Sequence, residues 1–177
     1  MRTLLDGAYR LAGYAAAVAL VLIFMLVLIQ VGARLADSAM RLAGLPPLGF
    51  IVPSIAEICG FLLAAASFLA LSHTLTIGGH IRVGILVERL PAGLRRVVET
   101  ASGVAAALLA GYFTYAVTEL ALKSWRYNDV SYGFVPAPLW LPQSAMALGL
   151  LLLTVALVDV TWRTATRGQP LPGASEV

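Results

Sequence analysis

Charge is scarce in this sequence, and it is distributed unevenly. Asp, Glu, Lys and Arg make up 12% of the 177 residues, about half the share found in an average soluble domain. Four long stretches carry almost none: 11–33, 58–79 (apart from His73), 100–118 and 130–158. A bilayer core of about 30 Å needs roughly 20 apolar residues in a helix. The sequence therefore predicts an all-α integral membrane protein with four transmembrane helices and short interfacial segments.

Residues that perform chemistry are also scarce. Cys59 is the single cysteine, and His73 and His80 are the only histidines. A lone thiol inside a span cannot form an internal disulfide, and haem would need axial ligands on facing helices. The sequence contains no glycine-rich phosphate loop, serine nucleophile motif, metal cluster or acidic pair. We therefore expect no enzymatic activity, no metal site and no cofactor.

The apolar stretches define the expected organisation, a single membrane domain over residues 1–177. We place its spans at about 11–33, 54–77, 96–122 and 139–161. The first is longer than the apolar part of a secretory signal, usually about 7–15 residues, so we interpret it as a helix. Pro and Gly in "AGLPPLGFIVPS" exclude a continuous helix between the first two spans. A polar, Pro-containing tail at 164–177 is expected to be mobile and cytoplasmic.

Basic residues indicate the orientation, because Lys and Arg are enriched in short cytoplasmic loops. Eight lie on one side of the predicted spans: Arg2, Arg10, Arg82, Arg89, Arg95, Arg96, Arg163 and Arg167. Four lie on the other: Arg34, Arg41, Lys123 and Arg126. This bias predicts that both termini are cytoplasmic. Because the cations are dispersed among the loops, they indicate membrane orientation and no nucleic-acid partner.

Acidic residues near the spans have local structural explanations. Three carboxylates stand one helical turn from a cation: Arg95–Glu99, Glu119–Lys123 and Asp159–Arg163. The segment "SIAE" predicts a capping box between Ser54 and Glu57 at the start of the second span. Glu57 also lies beside a face of small residues, so contact with a partner remains a second interpretation.

Small residues recur at four-residue spacing on two predicted helices. They are Ala56, Gly60 and Ala64 in the second span, and Gly103, Ala107 and Gly111 in the third. Such faces let helix backbones approach closely in lipid. They indicate packing within the four-helix unit or, alternatively, docking of a partner helix.

The segment "GGHIRVGILVERLP", residues 78–91, mixes charge with aliphatic residues between the second and third spans. Its apolar side chains suit the membrane boundary, while Arg82 and Arg89 face headgroups or a partner. Gly78 and Gly79 permit a turn out of the second span, and Pro91 ends the segment. The residues themselves are consistent with a membrane-adherent anchor that contacts lipid.

At this segment the chain resembles the small membrane subunit of tripartite ATP-independent periplasmic (TRAP) transporters, the DctQ-like family. The resemblance rests on Glu57, the "GHIRV" loop and "LWLPQ" at the fourth span. The family often has an acidic residue directly after "HIRV", where this chain has Gly84. The resemblance implies a bacterial inner-membrane scaffold for a sodium-coupled symporter of organic acids, with two partners: a large multi-span permease and a periplasmic substrate-binding protein. It implies partner contacts for Glu57, His80, Arg82 and Arg89.

Two other functions remain open from the residues alone. A self-sufficient small homodimeric transporter should carry a carboxylate near the middle of a span. A membrane-anchor subunit of an oxidoreductase should supply haem or quinone ligands. Neither feature stands out in the sequence.

Overall fold

Four helices account for most of the chain in the computed structural model, which describes residues 2–78 and 91–167. They are α1 (Arg2–Leu42), α2 (Ile55–Thr76), α3 (Ala92–Tyr127) and α4 (Trp140–Arg167). Each contains a stretch long and apolar enough to cross a membrane. Within the described ranges there is no strand, only an isolated bridge between Val130 and Pro138. The predicted all-α, four-helix membrane fold is confirmed.

The helices form a single row in the order α1, α2, α4, α3. Helix α2 packs against α1 on one side and α4 on the other, and α4 packs in turn against α3. Helix α1 touches α4 only briefly, and the described parts of α1 and α3 make no contact. The row therefore does not close into a bundle, and much of its surface is left for lipid or protein.

Few residues are buried between the helices. The contact between α1 and α2 centres on Ala16, Ala19 and Ala66, with Leu62 and Leu69 packed around them. Large apolar side chains of α1, such as Phe24 and Leu28, are more than half exposed. Apolar side chains gain little by avoiding a lipid solvent, so close backbone packing holds such helices together instead.

Glycines occupy the closest approaches between neighbouring helices. A Cβ added to Gly149 of α4 would overlap the Phe68 carbonyl group of α2. A Cβ on Gly13 of α1 would lie 2.9 Å from the His73 ring of α2. Both contacts require the absence of a side chain, because atoms closer than about 3 Å repel strongly. His73 is thus part of helix packing.

Helix α1 is longer than the span predicted at 11–33. Its 41 residues measure about 62 Å at about 1.5 Å per residue, twice the thickness of a bilayer core. The following connection, residues 43–54, is non-helical, as the Pro and Gly there predicted. The Asp37 carboxylate accepts hydrogen bonds from the Leu48 and Gly49 backbone N–H groups, and Gln30 Oε1 accepts one from Val52 at 2.8 Å. The connection is therefore bonded to the end of α1.

Helices α3 and α4 also extend past their predicted spans. Helix α4 continues to Arg167, so residues 164–167 belong to this helix and not to the expected tail. Thr164 is 2% exposed, and its hydroxyl donates to the Val160 carbonyl. The Arg96 guanidinium of α3 also donates to the Ala165 carbonyl, so the last turns of α4 are bonded to α3 beyond the predicted span.

The three ion pairs predicted from sequence spacing are confirmed. Arg95 Nε lies 3.2 Å from Glu99 Oε1, Lys123 Nζ lies 2.8 Å from Glu119 Oε1, and Arg163 pairs with Asp159. Glu99 is 4% exposed, so this pair is held inside the fold near the start of α3. Each pair joins neighbouring turns of one helix, so the carboxylate is neutralised by a cation of the same helix.

Candidate partner-binding surfaces

The loop between α2 and α3 carries three of the four predicted partner contacts, His80, Arg82 and Arg89, and all three lie outside the described residues. Its two ends are described. Gly78 adopts a left-handed backbone with φ 75°, a conformation that glycine reaches at little cost. Pro91 precedes the first turn of α3, and its carbonyl accepts a hydrogen bond from the Arg95 N–H at 2.9 Å. The predicted turn at Gly78 and the boundary at Pro91 are thus confirmed.

Glu57 lies in the first turn of α2, at the opposite end of this helix from the loop at 78–91. The predicted capping box is wrong, because Ser54 has a left-handed backbone with φ 54° and makes no side-chain cap bond. The Ser54 hydroxyl instead accepts a hydrogen bond from the Val135 N–H at 3.0 Å. Glu57 Oε2 is buried and has no hydrogen-bond partner among the described residues. The Ser54 side chain therefore bonds to a distant loop and does not cap α2.

That loop, residues 128–139, is a compact hairpin-like segment between α3 and α4. The Ser131 N–H donates to the Ala137 carbonyl at 2.9 Å, and the Leu139 N–H donates to the Asp129 carbonyl at 3.0 Å. A Cβ on Gly133 would overlap the Glu57 carboxylate and lie 2.7 Å from Ser54 Oγ. We call residues 128–139 the hairpin loop. Its backbone covers the start of α2, which places Glu57 beneath the chain's own loop.

Aromatic side chains surround the hairpin loop. Tyr132 and Phe134 are almost fully exposed. Trp125 and Trp140, on either side of the loop, pack edge to face with ring centroids 4.6 Å apart. Rings with polar edges collect at the headgroup level of a membrane. The α2 start and the hairpin loop therefore mark one end of the transmembrane region.

The two faces of small residues have different surroundings. Gly103 is buried against Thr161 of α4, and a Cβ on Gly111 would meet Thr154 of α4 at 3.8 Å. The face on α3, which includes Ala107, therefore lies toward α4. On α2, Ala56 and Gly60 are exposed, Ala64 is half-buried, and nothing lies within 4 Å of a Cβ on Gly60.

The exposed stripe on α2 extends along the helix. Ala56, Gly60, Leu63 and Ser67 are its exposed residues between Ile55 and Thr76, and their spacing of three or four places them on one side. The Ser67 hydroxyl donates to the Leu63 carbonyl of its own helix at 2.8 Å. We call these four residues the α2 stripe. It is a shallow face of small side chains that no described helix covers.

Metal and cofactor chemistry finds no support in the described ranges. They contain no cluster of three or more His, Cys, Asp or Glu side chains able to hold a metal ion. Cys59 is a free thiol, partly buried in α2. The described ionisable side chains of α3 and α4 are mostly engaged in the ion pairs named above.

A comparison with protein families matches residues 47–167 to the family described as tripartite ATP-independent periplasmic transporters, DctQ component. The match covers more than half of the chain, including α2, the loop at 78–91, α3 and α4. The chain belongs to the DctQ family. Searches among curated proteins and among solved structures found no match. The DctQ component is the small membrane subunit of a TRAP transporter, so this chain is a transport component and a multi-pass membrane protein.

Sequence reasoning missed several residues that shape this DctQ chain. Gly149 and Gly133 were not singled out, although both sit at contacts with no space for a side chain. Thr114 and Thr154, whose hydroxyls lie 3.1 Å apart across α3 and α4, were also missed. Their partners lie 40 or more residues away in the sequence. Glycine is common both in transmembrane helices such as α4 and in loops, so nothing local distinguishes Gly149 or Gly133 from the other glycines.

Proposed function

We propose that this DctQ chain is the scaffold subunit of a sodium-coupled secondary transporter that takes up organic acids across the bacterial inner membrane. A large multi-span permease holds the substrate and sodium sites, and a periplasmic binding protein delivers the substrate. Membership in the DctQ family carries the proposal. The ion pairs of α3 and α4 support it, because Glu99, Glu119 and Asp159 each pair with a neighbour one turn away. Glu57 is the exception, and it lies under the hairpin loop at the end of α2. A transport site would need such groups free to bind an ion.

The open row of helices supports a scaffold role. A row offers two broad faces, whereas a closed bundle presents only its outside, and here exposed apolar side chains occur on all four helices. Among the described residues, few side chains are buried between the helices. A flat row of helices can pack along the side of a larger membrane protein.

The α2 stripe is the surface that we assign to the large permease. Small side chains at Ala56 and Gly60 allow a partner helix to approach the backbone of α2. The α3 face cannot serve in the same way, because Gly103 already contacts Thr161. Lipid also fits an open helix face, so substitution has to separate the two occupants.

The loop residues His80, Arg82 and Arg89 are proposed as polar contacts of the same permease on the cytoplasmic side. Arginine suits this role, because its planar guanidinium donates paired hydrogen bonds to carboxylate or carbonyl groups. Glu57 contributes at the other end of α2, where it lies under the hairpin loop. We propose that it positions this loop toward the partners.

Co-purification and reconstitution test the function together. The chain is co-expressed with a candidate large permease subunit, captured by a tag, and placed in liposomes with a candidate binding protein. We expect sodium-driven uptake of an organic acid from the three-part system and none from this chain alone. Uptake by this chain alone would identify a self-sufficient transporter. An absorbance band of bound haem would identify an oxidoreductase anchor.

The α2 stripe has a matched pair of variants. Gly60→Leu fills the stripe, and Gly32→Leu adds the same side chain to α1; at both positions nothing lies within 4 Å of a new Cβ. Both variants should therefore fold. We expect Gly60→Leu to reduce recovery of the large subunit about tenfold, as loss of one close helix contact would, and Gly32→Leu to leave it unchanged. Equal recovery would exclude the α2 stripe as the docking face.

A further inference from the structure

A groove runs between α3 and α4 near the hairpin loop. It encloses about 560 Å³. Its lining is mainly apolar and includes the large side chains of Leu122, Leu148 and Leu151 and the small ones of Ala121 and Ala147. Trp125 and Trp140 close the end next to the loop. We call this surface the α3–α4 groove.

The length of the α3–α4 groove matches one leaflet of a bilayer. On α3 its lining runs from Thr114 to Trp125, which is about 17 Å along the helix axis. A bilayer core is about 30 Å thick, so a single leaflet accounts for about half of that. At the inner end, the Thr114 and Thr154 hydroxyls lie 3.1 Å apart and join the two helices. This length suits one acyl chain of a single leaflet.

A second cavity of about 360 Å³ begins on the far side of that junction. It is lined by Val104 and Leu108 on α3 and by Val158 and Trp162 on α4. Val104 and Thr118 are four helical turns apart, so the two cavities open on one side of α3. Division into two halves at mid-membrane, with a tryptophan at each outer end, is the pattern of the two lipid leaflets.

Charge at the loop end of the α3–α4 groove is complementary to a phosphate group. Arg126 follows Leu122 by four residues, so it lies one turn closer to the loop on the same side of α3. It is exposed, and within the described residues it contacts no carboxylate. The neighbouring Lys123 is already paired with Glu119 at 2.8 Å. One unneutralised guanidinium therefore stands at the mouth of an apolar groove.

We propose that the α3–α4 groove binds one phospholipid of the leaflet at the hairpin-loop end, with an acyl chain between α3 and α4 and its phosphate at Arg126. A guanidinium and a phosphate form strong paired hydrogen bonds. The indoles of Trp125 and Trp140 lie at the level where chain and headgroup meet. This site does not depend on the proposed transport function, because it is formed by this chain alone.

The test measures quenching of tryptophan fluorescence by phospholipid with brominated acyl chains. The purified full chain carries Trp162→Phe, so that only Trp125 and Trp140 report, and it is titrated in detergent with brominated phosphatidylglycerol. We expect saturable quenching with one lipid retained per chain in native mass spectrometry. Brominated diacylglycerol, which lacks the phosphate, should bind more weakly.

Two variants, each with a matched control, separate binding of the acyl chain from binding of the phosphate. Ala121→Leu fills the groove and should abolish saturable quenching, whereas Ala105→Leu, at an exposed position on the opposite side of α3, should not. Arg126→Gln should raise the half-saturating phospholipid concentration about tenfold, the loss of one charge-assisted contact, and leave diacylglycerol unaffected. Arg34→Gln is the exposed control at the same end. Helicity and gel filtration verify that each variant folds.

Two results would overturn the site. Unsaturable quenching that is equal in all variants would show ordinary surrounding lipid. If Ala121→Leu keeps saturable quenching but loses the large subunit in co-purification, the groove belongs to a protein partner instead.

Discussion

At the scale of single residues, the closest contacts between distant parts of the chain are made by glycines, which have no side chain. Gly149 meets the Phe68 carbonyl, Gly103 meets Thr161, and Gly133 meets Glu57. Each joins elements far apart in the sequence. Because lipid offers no hydrophobic drive for association, such close contacts contribute a large share of the packing energy.

Gly133 provides the residue-scale prediction. Gly133→Ala places a methyl group on the Glu57 carboxylate and should destabilise the chain by about 1–3 kcal/mol, the usual cost of overpacking. Thermal denaturation in detergent measures the effect. Gly32→Ala, where the new Cβ meets nothing within 4 Å, is the neutral control.

A double-mutant cycle checks the cause. Glu57→Ala in the Gly133→Ala background removes the overlapping carboxylate, so it should recover most of the lost stability if the two residues interact directly. Additive effects of the two substitutions would show that the cost arises from another contact, such as Ser54 Oγ at 2.7 Å from the new Cβ.

At the scale of helices and loops, local sequence determined some features and not others. Four runs without charge predicted four spans, and charges spaced by four predicted the pairs at Glu99, Glu119 and Asp159. Pro and Gly predicted the connection at 43–54. These features depend on neighbours within one turn or on the run itself, so the sequence contains what decides them.

Features decided by distant residues were missed. The capping box predicted from "SIAE" does not form, because the Ser54 hydroxyl accepts a hydrogen bond from the N–H of Val135, about 80 residues later. Helix α1 passes its predicted end because Leu, Ala, Met and Arg in "RLADSAMRL" favour a helix even when charged. The order of the row depends on the approach of Gly149 to Phe68, which no periodicity indicates.

The loop at 78–91 provides the element-scale prediction. If it docks specifically on the permease, Arg82→Lys should weaken the complex by about 1–2 kcal/mol, because Lys keeps the charge but loses the planar donor fork. Co-purification with the large subunit and uptake in vesicles measure the loss.

Arg95→Lys is the control for that loop. Arg95 makes its pair with Glu99 within α3, and Lys at this position still reaches Glu99, so the complex should be unaffected. If Arg82→Lys and Arg95→Lys behave alike, the loop is a plain electrostatic anchor to lipid.

At the scale of the whole molecule, the direction of each helix in the row follows from how the chain crosses the membrane. Four successive crossings place α1 and α3 in one direction and α2 and α4 in the other. The middle helices α2 and α4 are therefore parallel neighbours, and the outer helices α1 and α3 each contact a helix of opposite direction. An even number of crossings returns both termini to one side, together with the loop at 78–91.

Which side that is depends on charge, and this is the prediction for the whole molecule. Eight basic residues against four predict that the termini and the loop at 78–91 lie in the cytoplasm. In a Cys59→Ala background, single cysteines are introduced as Pro47→Cys, Tyr132→Cys and Gly93→Cys, all at exposed positions. A membrane-impermeant maleimide added to intact cells with a permeable outer membrane should label positions 47 and 132, because both connections face the periplasm. Position 93, at the start of α3, should react only after the inner membrane is opened. Labelling of position 93 in intact cells would show that the orientation is reversed. Arg82 and its proposed contacts would then lie on the periplasmic side, near the binding protein and away from the cytoplasmic surface of the permease.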